Sequence, residues 1–195
     1  MSRTLNIETP ISENQIRDLE VGDIVYLAGT IVTARDQAHK RMVEFLEEQK
    51  RIPVDLNGLA MYHCGPIVRR SNDKWSVIAA GPTTSMRMEE FEEKIITDLK
   101  VRLIIGKGGM GKKTEQAMRK FGAAYGAFTG GAAVLAARRI KKVTQVEWLD
   151  LGMPEAVWVF EVEDFGPLII SIDAHGGNLF EEVRQRAQRK ISRTT

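Results

Sequence analysis

Short β-branched runs and three-to-four apolar spacings alternate along this chain, the pattern of strands interleaved with helices. Residues 23–33 (DIVYLAGTIVT) are rich in β-branched side chains and broken by Gly29, which predicts a bent strand or a tight strand pair. Over 36–49, Ala38, Met42, Phe45 and Leu46 share a helical face, with Asp36 placed to cap its first turn. Residues 59–70 and 74–84 are strand-like and are separated by the turn residues Ser71, Asn72 and Asp73, so an antiparallel pair is expected. A second stripe, Met88, Phe91, Ile95 and Leu99, predicts a helix over 86–99 whose first turn one of the hydroxyls at 83–85 would cap. Residues 101–105 are an apolar strand, 106–113 a glycine loop and 114–121 a short helix. The rest divides into a strand over 123–129, a helix over 132–140, a hairpin of 157–162 with 168–173 turning at Asp164, Phe165 and Gly166, and a polar helix over 178–193.

This order defines an α/β fold, a mixed sheet with flanking helices, and a single domain over 1–195 whose first 20 residues form an N-terminal arm. A hydrophobic share of 43% with 28% charged residues is that of an ordinary globular chain, and no apolar run nears the ~18 residues that span a bilayer. Neither a secretory nor a transit segment is visible at the start, so a cytoplasmic location is expected, with no membrane or nucleic-acid partner. The net charge is only +2, yet residues 101–142 carry ten Lys/Arg against one acid, Glu115. A basic middle of this kind attracts small anions, unless it is simply a solvated helix face. The lone Cys64 rules out an internal disulfide and cannot by itself hold a cluster or a structural zinc.

Candidate chemistry concentrates where strands hand over to loops. GKGGMGKK at 106–113 begins like a P-loop, but Lys113 stands where such a loop needs Ser or Thr for magnesium, and Thr114 comes one position late. What stays open is a glycine loop that approaches a small anion, with Lys107 as a flexible point charge, or glycines that only serve tight turns. In GPTTSMRM at 81–88 the hydroxyls of Thr83, Thr84 and Ser85 precede a helix, and Arg87 sits one turn in, able to hold a carboxylate bidentately or to lie idle on the surface. Arg35 and Asp36 offer the same pair of readings. His39 falls one turn after Arg35, so both could face one cleft. No His/Cys/Asp spacing makes a metal site, and Cys64 reads as a small core residue.

Four segments taken in order, TARDQAHKR at 33–41, YHCGPIV at 62–68, AAGPTTSMRM at 79–88 and IIGKGGMG at 104–111, followed by DLGMPEAVWVFEV and SIDAHGGNLF, resemble the β subunit of class I fumarases and L-tartrate dehydratases. The resemblance covers almost the whole chain and implies a swivelling β/β/α domain that acts only with an α subunit. That partner would carry a 4Fe-4S cluster on its own cysteines, none being bound by this chain, and a higher oligomer is expected. The implied reaction is reversible hydration of fumarate to (S)-malate, with dehydration of tartrate to oxaloacetate as the alternative. By the same resemblance Thr83 is the catalytic base, Arg35, Arg87 and Lys107 hold the carboxylates of a dicarboxylate substrate, and His39 and Thr84 assist. Rival readings are a P-loop-like nucleotide-binding protein and a non-catalytic carboxylate-binding module.

Overall fold

A computed structural model describes residues 2–192. In chain order its elements are β1 (Thr4–Glu8), α1 (Glu13–Arg17), β2 (Ile24–Thr33), α2 (Asp36–Glu47), β3 (Ala60–Tyr62), β4 (Ile67–Ser71), β5 (Lys74–Ala79), α3 (Glu89–Asp98), β6 (Leu103–Gly106), α4 (Lys112–Phe121), β7 (Ala124–Ala127), α5 (Ala133–Arg139), β8 (Ile140–Glu147), β9 (Val157–Ile172) and α6 (Leu179–Ile191). A seven-stranded mixed sheet runs β1-β2-β3-β6-β7-β9-β8, and β4 pairs with β5 in a separate hairpin. β2, β3, β6 and β7 are parallel neighbours, and β9 lies antiparallel to both β7 and β2. That last pairing closes β2, β3, β6, β7 and β9 into a ring, which leaves no free edge among them.

Alternation along the strands then builds two cores. Inward positions such as Leu27, Tyr62, Leu103, Phe160 and Phe165 fill the ring. Their neighbours Val32, Met61, Ile104 and Val159 face outward against Met42 of α2, Ile95 and Ile96 of α3 and Met118 of α4. The apolar stripes at 36–49 and 86–99 are the helix faces that cover this second core. β1 pairs in parallel with β2, and Ile16 of α1 is buried, so the N-terminal arm is woven into the sheet.

Several local expectations are corrected. Segments 157–162 and 168–173 are not a hairpin: they belong to one long strand, and both halves pair with β2, from Ile24↔Ile169 to Val32↔Val159. Gly166 lets β2 come close there, since a Cβ on it would lie 2.6 Å from the Val25 carbonyl oxygen. Of the two readings expected for 23–33, the bent strand is the one found: Ile24–Thr33 is a single strand kinked at Gly29, whose φ is +90° and whose missing Cβ leaves room for the Thr9 hydroxyl. β8, with its half-exposed and charged face, is an additional strand along β9. Of the expected pair at 59–70 and 74–84, only β4 and β5 form the hairpin, while β3 joins the main sheet. Arg35 occupies the N-cap of α2, Asp36 being its first helical residue, and α3 follows a 3-10 turn at Ser85–Met88 with no hydroxyl cap. The expected end of the last helix at 193 lies outside the described residues.

Candidate active site

Parallel strands point their carboxyl ends to one edge, where open α/β sheets place their ligands. β2 delivers Arg35 there, β3 delivers His63 to Gly65, and β6 delivers Lys107. Segment 82–85 is laid across the ends of β3 and β6 as if it were one more short strand. Cys64 bridges Pro82, and Thr84 bridges Lys107. The Thr83 amide donates to the His63 carbonyl (2.7 Å), and the Ser85 amide to that of Lys107 (3.0 Å). Backbone pairing therefore seats the Thr83 and Thr84 segment beside Lys107, with Thr83 half-buried and Thr84 and Lys107 exposed.

The two arginines meet through acids. Arg87 donates from Nε to Asp36 Oδ1 at 2.9 Å and pairs Nη2 with Oδ2 at 2.8 Å, while Arg35 Nη2 stands 3.9 Å from the same Oδ2. Arg35 Nε also lies 3.3 Å from Glu155 Oε1. Room for the Arg35 guanidinium comes from Gly65, where a Cβ would stand 2.6 Å from Nη1. The edge thus gathers Arg35, Arg87 and Lys107 against Asp36 and Glu155. Lys107 makes no ion pair among the described residues, so its charge is not taken up by an acid of this edge as those of Arg35 and Arg87 are.

Behind this edge lies a fully buried polar cluster. His63 Nδ1 hydrogen-bonds with Ser85 Oγ at 2.9 Å, and Ser85 Oγ with the Tyr125 hydroxyl at 2.9 Å. His39 Nδ1 bonds to the Arg35 carbonyl at 2.9 Å. The Nε2 atoms of His39 and His63 come within 3.4 and 3.2 Å of Glu92 Oε2. All three residues are 0% exposed. Burial lowers the basicity of His63, partly opposed by Glu92, and burial alone would raise the Glu92 carboxyl, which the two histidines override to hold it below its ordinary range. His39 therefore does not face the cleft beside Arg35, as its spacing suggests; its ring turns inward. Positions 39, 63 and 92, which no spacing in the sequence links, converge through packing into a group whose donor atoms could hold a metal ion.

The glycine loop has an unexpected occupant. Glu89, the first residue of α3, accepts from the amides of Gly111 (2.7 Å), Lys113 (3.1 Å) and Thr114 (3.3 Å) and from the Thr114 hydroxyl (2.7 Å). A carboxylate already fills the N-terminus of α4, where a P-loop would hold phosphate. The misfit at Lys113 is thus matched by a structural obstacle. Cys64 is buried and its thiol pushed up by that burial, the condition of a core residue rather than a nucleophile.

His63, Glu89, Glu92 and Glu155 are the neighbours that sequence reasoning left without a role, and Asp36 and Ser85 are ones it read only as helix caps or anion contacts. Asp36, His63 and Ser85 stood inside segments already singled out, TARDQAHKR, YHCGPIV and AAGPTTSMRM, and Glu155 lay in the DLGMPEA segment that supported the resemblance, whereas Glu89 and Glu92 stood in none.

Residues 1–183 match the family described as Fumarase C-terminus. The chain belongs to that family. It is 51% identical over 176 residues to the L(+)-tartrate dehydratase subunit beta of Escherichia coli (strain K12), an alignment covering 90% of this chain and 86% of the relative. A putative L(+)-tartrate dehydratase subunit beta of Methanocaldococcus jannaschii is 45% identical over 93% of this chain and 94% of its own length. A putative fumarate hydratase class I of Geobacillus stearothermophilus is 42% identical over 97% of this chain, which spans 36% of that longer protein.

Proposed function

We propose that this chain is the β subunit of a two-subunit hydro-lyase that dehydrates L(+)-tartrate to oxaloacetate, its swivelling domain supplying the carboxylate-binding half of the active site. The observation that carries the reading is the convergence of Thr83, Arg35, Arg87 and Lys107 at one sheet edge, in a chain half identical to a tartrate dehydratase β subunit. Fumarate, the substrate first expected, is supported by the name of the 42% relative, whereas the 51% and 45% relatives favour tartrate.

In this reading Arg35, Arg87 and Lys107 hold the substrate carboxylates, and the carboxylate next to the deprotonated carbon gains charge during elimination, which fixed cations stabilise. Asp36 keeps Arg35 and Arg87 close together before substrate arrives. Thr83, as the alkoxide left when its hydroxyl proton passes to a base, removes the carbon-bound proton, and the hydroxyl on the neighbouring carbon leaves as hydroxide toward the α subunit, where the cluster would supply a Lewis acid for it. A threonine needs help to become an alkoxide, and no acid or histidine of this chain bonds its hydroxyl among the described residues, so we assign activation to an acidic side chain of the α subunit. The 4Fe-4S cluster inferred from the family resemblance does not fit this chain's own donors, since Cys64 is its one cysteine and is buried. The cluster is therefore assigned to the α subunit.

Anaerobic co-expression with an α subunit, followed by assay of L(+)-tartrate, fumarate and (S)-malate, tests the proposal. L(+)-Tartrate turnover is expected, and Thr83→Ala should reduce kcat by about 10²–10⁴-fold with assembly intact. Near-normal turnover by Thr83→Ala would remove Thr83 from the chemistry, and turnover of fumarate alone would overturn the substrate.

A further inference from the structure

The buried cluster of His39, His63 and Glu92 is poorly explained as a set of hydrogen bonds. His39 Nε2, His63 Nε2 and both Glu92 carboxylate oxygens have no hydrogen-bond partner among the described residues. A buried carboxylate left in that condition costs several kcal/mol, and native structures seldom keep one without a cation or a full set of donors. A proton shared between imidazole and carboxylate would draw the heavy atoms to about 2.7–2.9 Å with good alignment. The contacts here are 3.4 and 3.2 Å, converge on a single oxygen and are not aligned as hydrogen bonds.

Those spacings suit a different occupant. With metal–ligand distances of about 2.0–2.1 Å, neighbouring donors of a tetrahedral zinc stand about 3.3–3.4 Å apart, close to the observed 3.2 and 3.4 Å. Two imidazoles bound through Nε2 to one such ion place their ring centres about 5 Å apart, and the His39 and His63 centroids are 5.1 Å apart at 73°. Each outer ring nitrogen is engaged as a metal-bound histidine requires, His39 Nδ1 by the Arg35 carbonyl and His63 Nδ1 by the Ser85 hydroxyl, which leaves both Nε2 atoms aimed inward. Two neutral imidazoles and one carboxylate form a His2Glu set, which zinc accepts.

We propose that His39, His63 and Glu92 form a buried site for a divalent transition ion, zinc by its donor set, with the fourth position taken by Glu92 Oε1 or a water. The ion would tie together the three pieces that present the candidate catalytic groups. His39 sits one turn after Arg35, the His63 carbonyl holds the Thr83 amide, and Glu92 follows Arg87 on the same helical run. Its role is to position these pieces, and the site does not depend on which dicarboxylate is the substrate.

The test is elemental analysis of the full chain purified without chelators, histidine tag or nickel resin, joined to refolding in Co²⁺. About one zinc per chain is expected, with cobalt giving the intense visible bands of four-coordinate geometry. Glu92→Gln and His63→Gln should each lower metal content at least tenfold, while His175→Asn, which alters the one remaining histidine, should retain it. If the cluster variants do not fold, the metal content and cobalt spectrum of the unaltered chain decide alone. Wild-type protein free of stoichiometric transition metal, with cobalt showing only weak six-coordinate bands, would overturn the site and leave a proton on one of the histidines in its place.

Discussion

Ser85 shows how much a single small side chain organises here. It bonds to His63 and to Tyr125, and it lies so close to β6 that a Cβ on Gly106 would fall 1.9 Å from its hydroxyl oxygen. Gly106 is thus glycine because of its neighbour, with no demand from φ. Gly106→Ala should destabilise the chain by about 1–3 kcal/mol, the range of an overpacked core site, through the clash of the added methyl with the Ser85 hydroxyl. Urea unfolding would measure it, and adding Ser85→Gly should restore part of the loss by clearing the clash; no restoration would place the cost elsewhere. The same residue marks the limit of reading by motif. Thr83, Arg87 and Lys107 stand in short glycine-flanked segments, so sequence alone could single them out as candidates. His39, His63 and Glu92 were not legible as a group, because nothing local to any of the three announces a shared interior point.

Among the elements, the α3 to α4 contact decides what the glycine loop can do. α4 starts at Lys112 with Gly111 as an N-cap that offers no side chain, so its first amides depend on Glu89 from the neighbouring helix. A carboxylate at a helix N-terminus satisfies the free donors and complements the helix dipole. Glu89→Ala should cost about 1–2 kcal/mol, as loss of an N-cap does, with early hydrogen exchange at Lys113 and Thr114. Exchange rates unchanged at those amides would show that water caps the helix as well. The strands were legible in a similar, partial way. β2 and β6 announced themselves by apolar runs, but β9 was hidden by Asp164, Phe165 and Gly166, which read as a turn and instead form an irregular stretch where the strand follows the bulged β2. β8 was hidden because its exposed Lys141, Lys142 and Gln145 break the apolar pattern, and only pairing with β9 makes it a strand.

At the scale of the whole molecule, closure of the ring depends on β2, and β2 is clamped at its start. Asp23, 3% exposed, accepts from Arg3 through Nε (3.1 Å), Nη2 (2.6 Å) and the backbone amide (3.3 Å), and from the Glu20 amide at 3.0 Å. The Arg3 hydrogen bonds hold the Asp23 carboxyl below its ordinary value against the opposing effect of burial. This clip fastens β1 and α1 to the sheet that presents Arg35 some ten residues later. A carboxyl with a depressed folded-state pKa contributes stability that is present above its unfolded value of about 3.9 and is lost as pH falls through the folded one. Asp23→Asn should therefore melt below the wild type near neutral pH, and the gap between the two should narrow as the buffer is taken below about pH 4. Thermal unfolding of both proteins from pH 7 to pH 3 makes the comparison. A gap that stays constant across that range would mean that Asp23 acts through hydrogen bonds its amide analogue loses equally at every pH, and that its charge does not hold the N-terminal strand in place.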